Sequence, residues 1–210
     1  MKKEFLVLLM APLAFASCEK DADTDKLDNK FVVYTNYDKN ASFSAFNTYY
    51  LPDSILIIGD KKEAEYWNDE NAQLIISTYA ANMANRGYVR TDNKEEADLG
   101  LQVSYVKSTY FVTNYGQPQW WWGYPGYWDT PYWGNWGDWY YPYAVTYTYS
   151  TGSFVTEMLN LDAPQGLNAK LPVLWTAYMS GLLSGSTSVN VNRAIEAVNQ
   201  AFTQSVYLKK

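Results

Sequence analysis

The sequence predicts an α+β fold: a two-layer sandwich in which a mostly antiparallel sheet carries two long helices packed on one face, with an aromatic-rich hairpin as an insertion. Three observations lead there. Two stretches place apolar residues at helical spacing, and several others alternate apolar with polar residues as half-buried strands do. Between them lies a segment, Trp120 to Tyr143, in which 13 of 24 positions are tryptophan or tyrosine. Each helix has one apolar stripe to cover, and one sheet can receive both.

The chain opens with Lys2 and Lys3 ahead of a 12-residue apolar run, Phe5 to Ala16. That run is too short to span a bilayer as a helix but has the length a secretory signal uses. Phe15-Ala16-Ser17-Cys18 resembles the lipobox of bacterial lipoproteins. The resemblance implies cleavage before Cys18 and diacylation of its thiol, so residues 1–17 read as a lipoprotein signal peptide and Cys18 as the lipid attachment site. The other reading is an ordinary signal peptide followed by one unpaired cysteine, a liability in an oxidising compartment. Residues 18–30 are polar and acidic, a flexible tether. Lys20 followed by acids resembles the signal that sends some Gram-negative lipoproteins to the outer face of the outer membrane; a solvated linker explains the same residues.

Residues 31–210 read as one domain. Phe31 to Thr35 and Asn47 to Leu51 are rich in β-branched and aromatic residues and predict two strands, the second stopped by Pro52-Asp53. From Asp60 or Asn68 to Arg86, Trp67, Leu74 with Ile75, Thr78 with Tyr79, and Met83 recur at helical spacing, and Gly87 stands where a helix C-terminus favours glycine. Leu99, Leu101, Val103 and Tyr105 then alternate with small or polar residues, predicting a strand that runs on through Phe111-Val112. Val145, Tyr147 and Tyr149 suggest the return arm of a long hairpin with the aromatic stretch, about residues 117–142, projecting as its tip. Phe154 to Leu161 and Val173 to Leu182 predict two more strands. Val191, Ala194, Ile195, Val198, Ala201 and Phe202 draw one stripe on a final helix.

Several phrases in this order resemble a known family. They are Phe43-Ser44-Ala45-Phe46-Asn47-Thr48-Tyr49, Arg86-Gly87-Tyr88, Glu96-Ala97-Asp98-Leu99, Gly152-Ser153-Phe154 and Val173-Leu174-Trp175, with a glycine- and aromatic-rich insertion among them. Together with the lipobox they are similar to bacterial lipoproteins of the family called domain of unknown function 4136, over nearly all of residues 31 to 206. The resemblance implies a lipid-anchored envelope protein and carries over no catalytic residue.

Composition narrows the chemistry. The chain has no histidine and one cysteine, which removes the commonest general base, the commonest metal ligand and Cys/His nucleophile pairs. No metal or cofactor is expected. The formal charge is −6; without residues 1–17, 14 basic and 21 acidic side chains leave −7. No lysine or arginine stands between Lys107 and Lys170. Nucleic acid is therefore not an expected partner, because single strands that stack on aromatic rings also need a basic groove.

An enzyme built from these residues would rely on carboxylates, with Asp129, Asp138 and Glu157 to hand. Turn formation explains the two aspartates more simply, and Glu157 is expected on the solvent face of an antiparallel sheet. The expectation is a non-catalytic protein. The candidate ligand or interface residues are Trp120, Trp121, Trp122, Trp128, Trp133, Trp136 and Trp139, with Asp129 and Asp138. Their rings could stack sugars, settle at the headgroup level of a bilayer, meet an envelope protein, or fold back as a cap over the sheet. The predicted whole is an outer membrane lipoprotein of a Gram-negative bacterium.

Overall fold

Short β-branched runs broken by Pro, Gly and Asn residues make strands here, and two amphipathic runs make the helices that cover them. The computed structural model describes residues 31–59, 61, 63–107, 130–145 and 150–210. The signal peptide, Cys18, the tether, Phe111-Val112, and Tyr147 with Tyr149 lie outside the described residues. So do Trp120, Trp121, Trp122, Trp128 and Asp129.

The strands are β1 Val32–Tyr37, β2 Thr48–Tyr50, β3 Ile55–Ile58, β4 Glu65–Trp67, β5 Val89–Arg90, β6 Leu99–Val106, β7 Trp136–Tyr140, β8 Ser153–Asn160 and β9 Gly166–Ser180. The helices are α1 Glu70–Asn85, the single turn α2 Thr130–Trp133 and α3 Thr187–Gln204. The spine of the sheet runs β1-β9-β8-β6-β2-β5. The long pairings along it, β1 with β9, β9 with β8 and β8 with β6, are antiparallel. The parallel pairings are short: β2 and β3 both lie along β6, at opposite ends of it, β5 extends β2, and β7 lies along the first half of β9.

Both long helices pack on one face of this sheet, as expected. Asp69 caps α1, its carboxylate accepting from the Ala72 amide at 3.0 Å. Gly87 follows the helix with φ of +94°, a conformation that a side chain would strain. The stripe that α1 buries is Ala72, Ile75, Ile76, Tyr79 and Met83. Leu74 faces solvent, and Trp67 is not helical at all but ends β4. The β3–β4 hairpin thus replaces the early start of the helix. It forms because Ile55 to Ile58 is a buried apolar run that finds an open partner in the end of β6.

The main core joins α1 and α3 to Leu99, Leu101 and Val103 of β6, Phe154 and Met158 of β8, and Trp175, Ala177 and Met179 of β9. The other face of the sheet is not left to solvent. A second core lies there, in which Trp133, Trp136 and Trp139 pack on Val106, Val155, Leu159, Leu171, Val173 and Tyr178. The described part of the insertion is therefore not a projecting tip. It lies flat on the face the helices leave uncovered.

Candidate functional site

Two places combine unusual side chains with shape: the aromatic wall on the second face and a pocket at one end of the sheet. The wall begins at α2, whose Trp133 ring lies over Gly100 of β6; a Cβ built on that glycine would stand 2.6 Å from the ring. Glycine is needed there because the indole occupies the space a side chain would fill. Trp133 Nε1 donates to Gln102 Oε1 at 3.3 Å. β7 then pairs with β9 through Trp136, Asp138, Trp139 and Tyr140, turning Trp136 and Trp139 inward and Tyr140 outward. Lys94 sits 3.8 Å above the Tyr132 ring, a cation–π contact closing the wall's edge.

Under the wall runs a row of polar side chains. Register places Gln102 opposite Glu157, Glu157 opposite Thr176, and Thr176 opposite Asn36. Gln102, Glu157 and Thr176 are all 0% exposed. Tyr141 donates its hydroxyl to Glu157 Oε1, Gln102 Nε2 donates to Ser104 Oγ at 3.3 Å, and Asn36 Nδ2 donates to the Ala144 carbonyl at 2.8 Å. The expectation of a solvent-facing Glu157 is corrected: its strand does point it away from the helices, but the insertion covers that face. Polar groups so placed need partners: Trp133 and Tyr141 of the insertion serve Gln102 and Glu157, and Ala144 just after it serves Asn36.

Of the candidate residues, the structure brings together Trp133, Trp136, Trp139 and Asp138. The three rings are 3%, 5% and 0% exposed, so their faces are taken by the sheet and no sugar or partner can stack on them in this conformation. Asp138 is not in a simple turn. It lies in β7 beside an irregularity in the register, receives the Trp139 amide at 2.9 Å and pairs with Lys170 at 3.8 Å. Asp138 and Glu157 stand on the wall in structural roles, one at its outer edge and one beneath it. Among the described residues no group of three His, Cys, Asp or Glu side chains could hold a metal ion.

The phrases that carry the family resemblance also join elements. Asp98 Oδ2 accepts from the amides of Asn47 and Thr48 at 2.6 and 2.9 Å, and its own amide donates to Thr48 Oγ1 at 3.0 Å. Tyr88 donates its hydroxyl to the Phe43 carbonyl at 3.0 Å. Arg86 Nη2 reaches the Phe202 carbonyl at 2.5 Å at the end of α3, and Trp175 Nε1 donates to Ser205 Oγ at 2.9 Å. These contacts pin β2 to β6, α1 to α3, and β9 to the C-terminus.

The pocket, about 360 Å³, is lined mostly by apolar groups, among them Trp67 of β4, Ile75 of α1, Tyr105 of β6, Phe154 of β8, Leu183, and Val191 of α3, with Lys107 also in the lining. Sequence reasoning missed it because it depends on the β3–β4 hairpin. The available signal was the apolar run Ile55 to Ile58 followed by a charged loop and Tyr66-Trp67.

Comparison with known proteins agrees with this architecture. The crystal structure of a DUF4136 family protein from Bacteroides thetaiotaomicron superposes with a TM-score of 0.81 at 59% identity, covering 87% of this chain and 99% of that one. A dodecamer-forming PelC from Paraburkholderia phytofirmans covers 83% of this chain and 97% of its own at 13% identity, with a TM-score of 0.36, too slight a likeness to argue from. No curated protein matches the chain significantly. The model of the family described as domain of unknown function (DUF4136) matches residues 33–205. The chain belongs to the DUF4136 family.

Proposed function

We propose that this protein is a lipid-anchored module of the cell envelope, held at the outer membrane through Cys18, that acts by binding and by its own shape rather than by catalysis. One observation carries the non-catalytic reading: among the described residues, Asp138 and Glu157, singled out for chemistry, and several residues of the family phrases are engaged in packing. Asp98, Arg86 and Trp175 pin elements together, Glu157 is sealed beneath Tyr141, and Trp139 is buried against β9. A catalytic carboxylate needs a face open to substrate. Within the insertion, Trp133, Trp136 and Trp139 form the wall, and contact with an envelope partner falls to Trp120, Trp121, Trp122 and Trp128.

The anchor is supported by the lipobox-like Phe15-Ala16-Ser17-Cys18 and the polar tether after it. Two or more acyl chains make such attachment stable. Metabolic labelling with palmitate tests it: labelling should disappear in Cys18→Ser, and labelling that persists refutes the assignment. For the interface, replacing Trp120, Trp121, Trp122 and Trp128 together with alanine should abolish crosslinks to an envelope partner while leaving the unfolding temperature within a few degrees of wild type. Unchanged crosslinking in that variant contradicts the proposed role.

A further inference from the structure

The pocket and the start of the domain lie at the same end of the sheet. Val32, the first residue of β1, pairs with Ser180 at the end of β9; the chain then turns through Leu182 and Leu183 into the pocket wall. The ends of β6, β8 and β3 meet there as well, through Val106 with Ser153 and with Ile58. The chain therefore enters β1 at the same end of the sheet as the pocket. Exposed apolar side chains gather at this end: Val32, Leu183, 50% exposed, and Val189 in the first turn of α3. Lys107 belongs to the lining, and it and Lys61 both bridge Glu65, at 3.5 and 3.3 Å, so that trio beside the pocket carries one net positive charge.

We propose that this pocket takes one acyl chain of a membrane phospholipid, with the lipid's phosphate held outside beside Lys61 and Lys107. The volume of about 360 Å³ lies in the roughly 300–1,000 Å³ range of small-molecule sites. Its lining is mostly apolar, with Thr187 and Asn190 polar and Lys107 its one charged side chain among the described residues, a composition that suits a hydrocarbon chain with an anionic head. The choice of a membrane lipid as the source rests on the lipid-anchor reading above, because an anchor ahead of β1 keeps this end of the sheet within reach of the bilayer. Trp67 lies in the lining and reports occupancy.

The test is fluorescence quenching of the full chain in vesicles of phosphatidylglycerol with brominated acyl chains, against the same vesicles unbrominated. The expected result is a loss of tryptophan emission, part of which disappears in Trp67→Phe and in Thr187→Tyr. Thr187 is exposed at the pocket's edge, so a larger side chain there obstructs the mouth without disturbing the core. Quenching identical in wild type and both variants overturns the proposal. A second arm uses Cys18→Ser and ω-bromododecanoate in detergent-free buffer, where affinity across shorter and longer acids should rise roughly fourfold per methylene until the pocket is full. Quenching by the free acid with no Trp67-dependent quenching in vesicles overturns the membrane source, and quenching in neither arm overturns the pocket. Free-acid quenching in Cys18→Ser, together with a wild-type chain that takes up no palmitate, refutes the anchor and still supports the pocket.

Discussion

At Gly100 the absence of a side chain is the functional fact, since the Trp133 indole rests where a Cβ would be. Gly100→Ala forces that ring off its seat and off Gln102, and should cost about 1–3 kcal/mol in denaturant unfolding; an unchanged midpoint would mean the ring is not seated there. Asp98 illustrates the opposite case, one side chain serving several backbone groups. Asp98→Ala leaves the Asn47 and Thr48 amides without their acceptor and should cost about 1–3 kcal/mol. Tyr88 sets a pH response: burial pushes its phenol from 10.0 up to about 12, with the Arg86 guanidinium pulling the other way. Because the folded value lies above the unfolded one, its contribution is present in full below pH 10 and is lost as pH rises toward about 12. Tyr88→Phe should therefore make the decline of stability over that range shallower, and an unchanged decline contradicts the assignment.

Neighbouring residues of β7 should behave as opposites. Trp139→Ala removes a fully buried indole and should cost about 3–5 kcal/mol, whereas Tyr140→Ala, on the outward side of the same strand, should stay within about 0.5 kcal/mol; equal effects would mean that β7 does not lie on the sheet as described. Element by element, strong periodicity was readable. The stripe from Val191 to Phe202 and the alternation from Leu99 to Tyr105 stand where the pattern placed them. What was not readable depends on contacts distant in sequence. Ile55 to Ile58 is too short and uniformly apolar to declare itself a strand without β6 beside it. Glu157 alternates correctly as a residue facing away from the helices, yet alternation cannot tell that a segment some 20 residues earlier will cover that face. The same limit hid β7, whose glycines and tryptophans read as a loop until β9 offers an edge.

Taken whole, the molecule is one sheet dressed on both sides, with helices over one face and an aromatic wall over the other. The wall explains how so many rings are tolerated: those described inside it are core residues. It also excludes cations from the inward positions of β7, where a lysine would place a charge against Val155 and Leu171. The account stands or falls on that structural role. Its most direct test is thermal unfolding of the chain with residues 117–142 deleted and the ends joined. Loss of the three buried tryptophans should lower the unfolding temperature by about 15 °C or more, or abolish cooperative unfolding. A cooperative transition within a few degrees of wild type would show that the second face needs no wall.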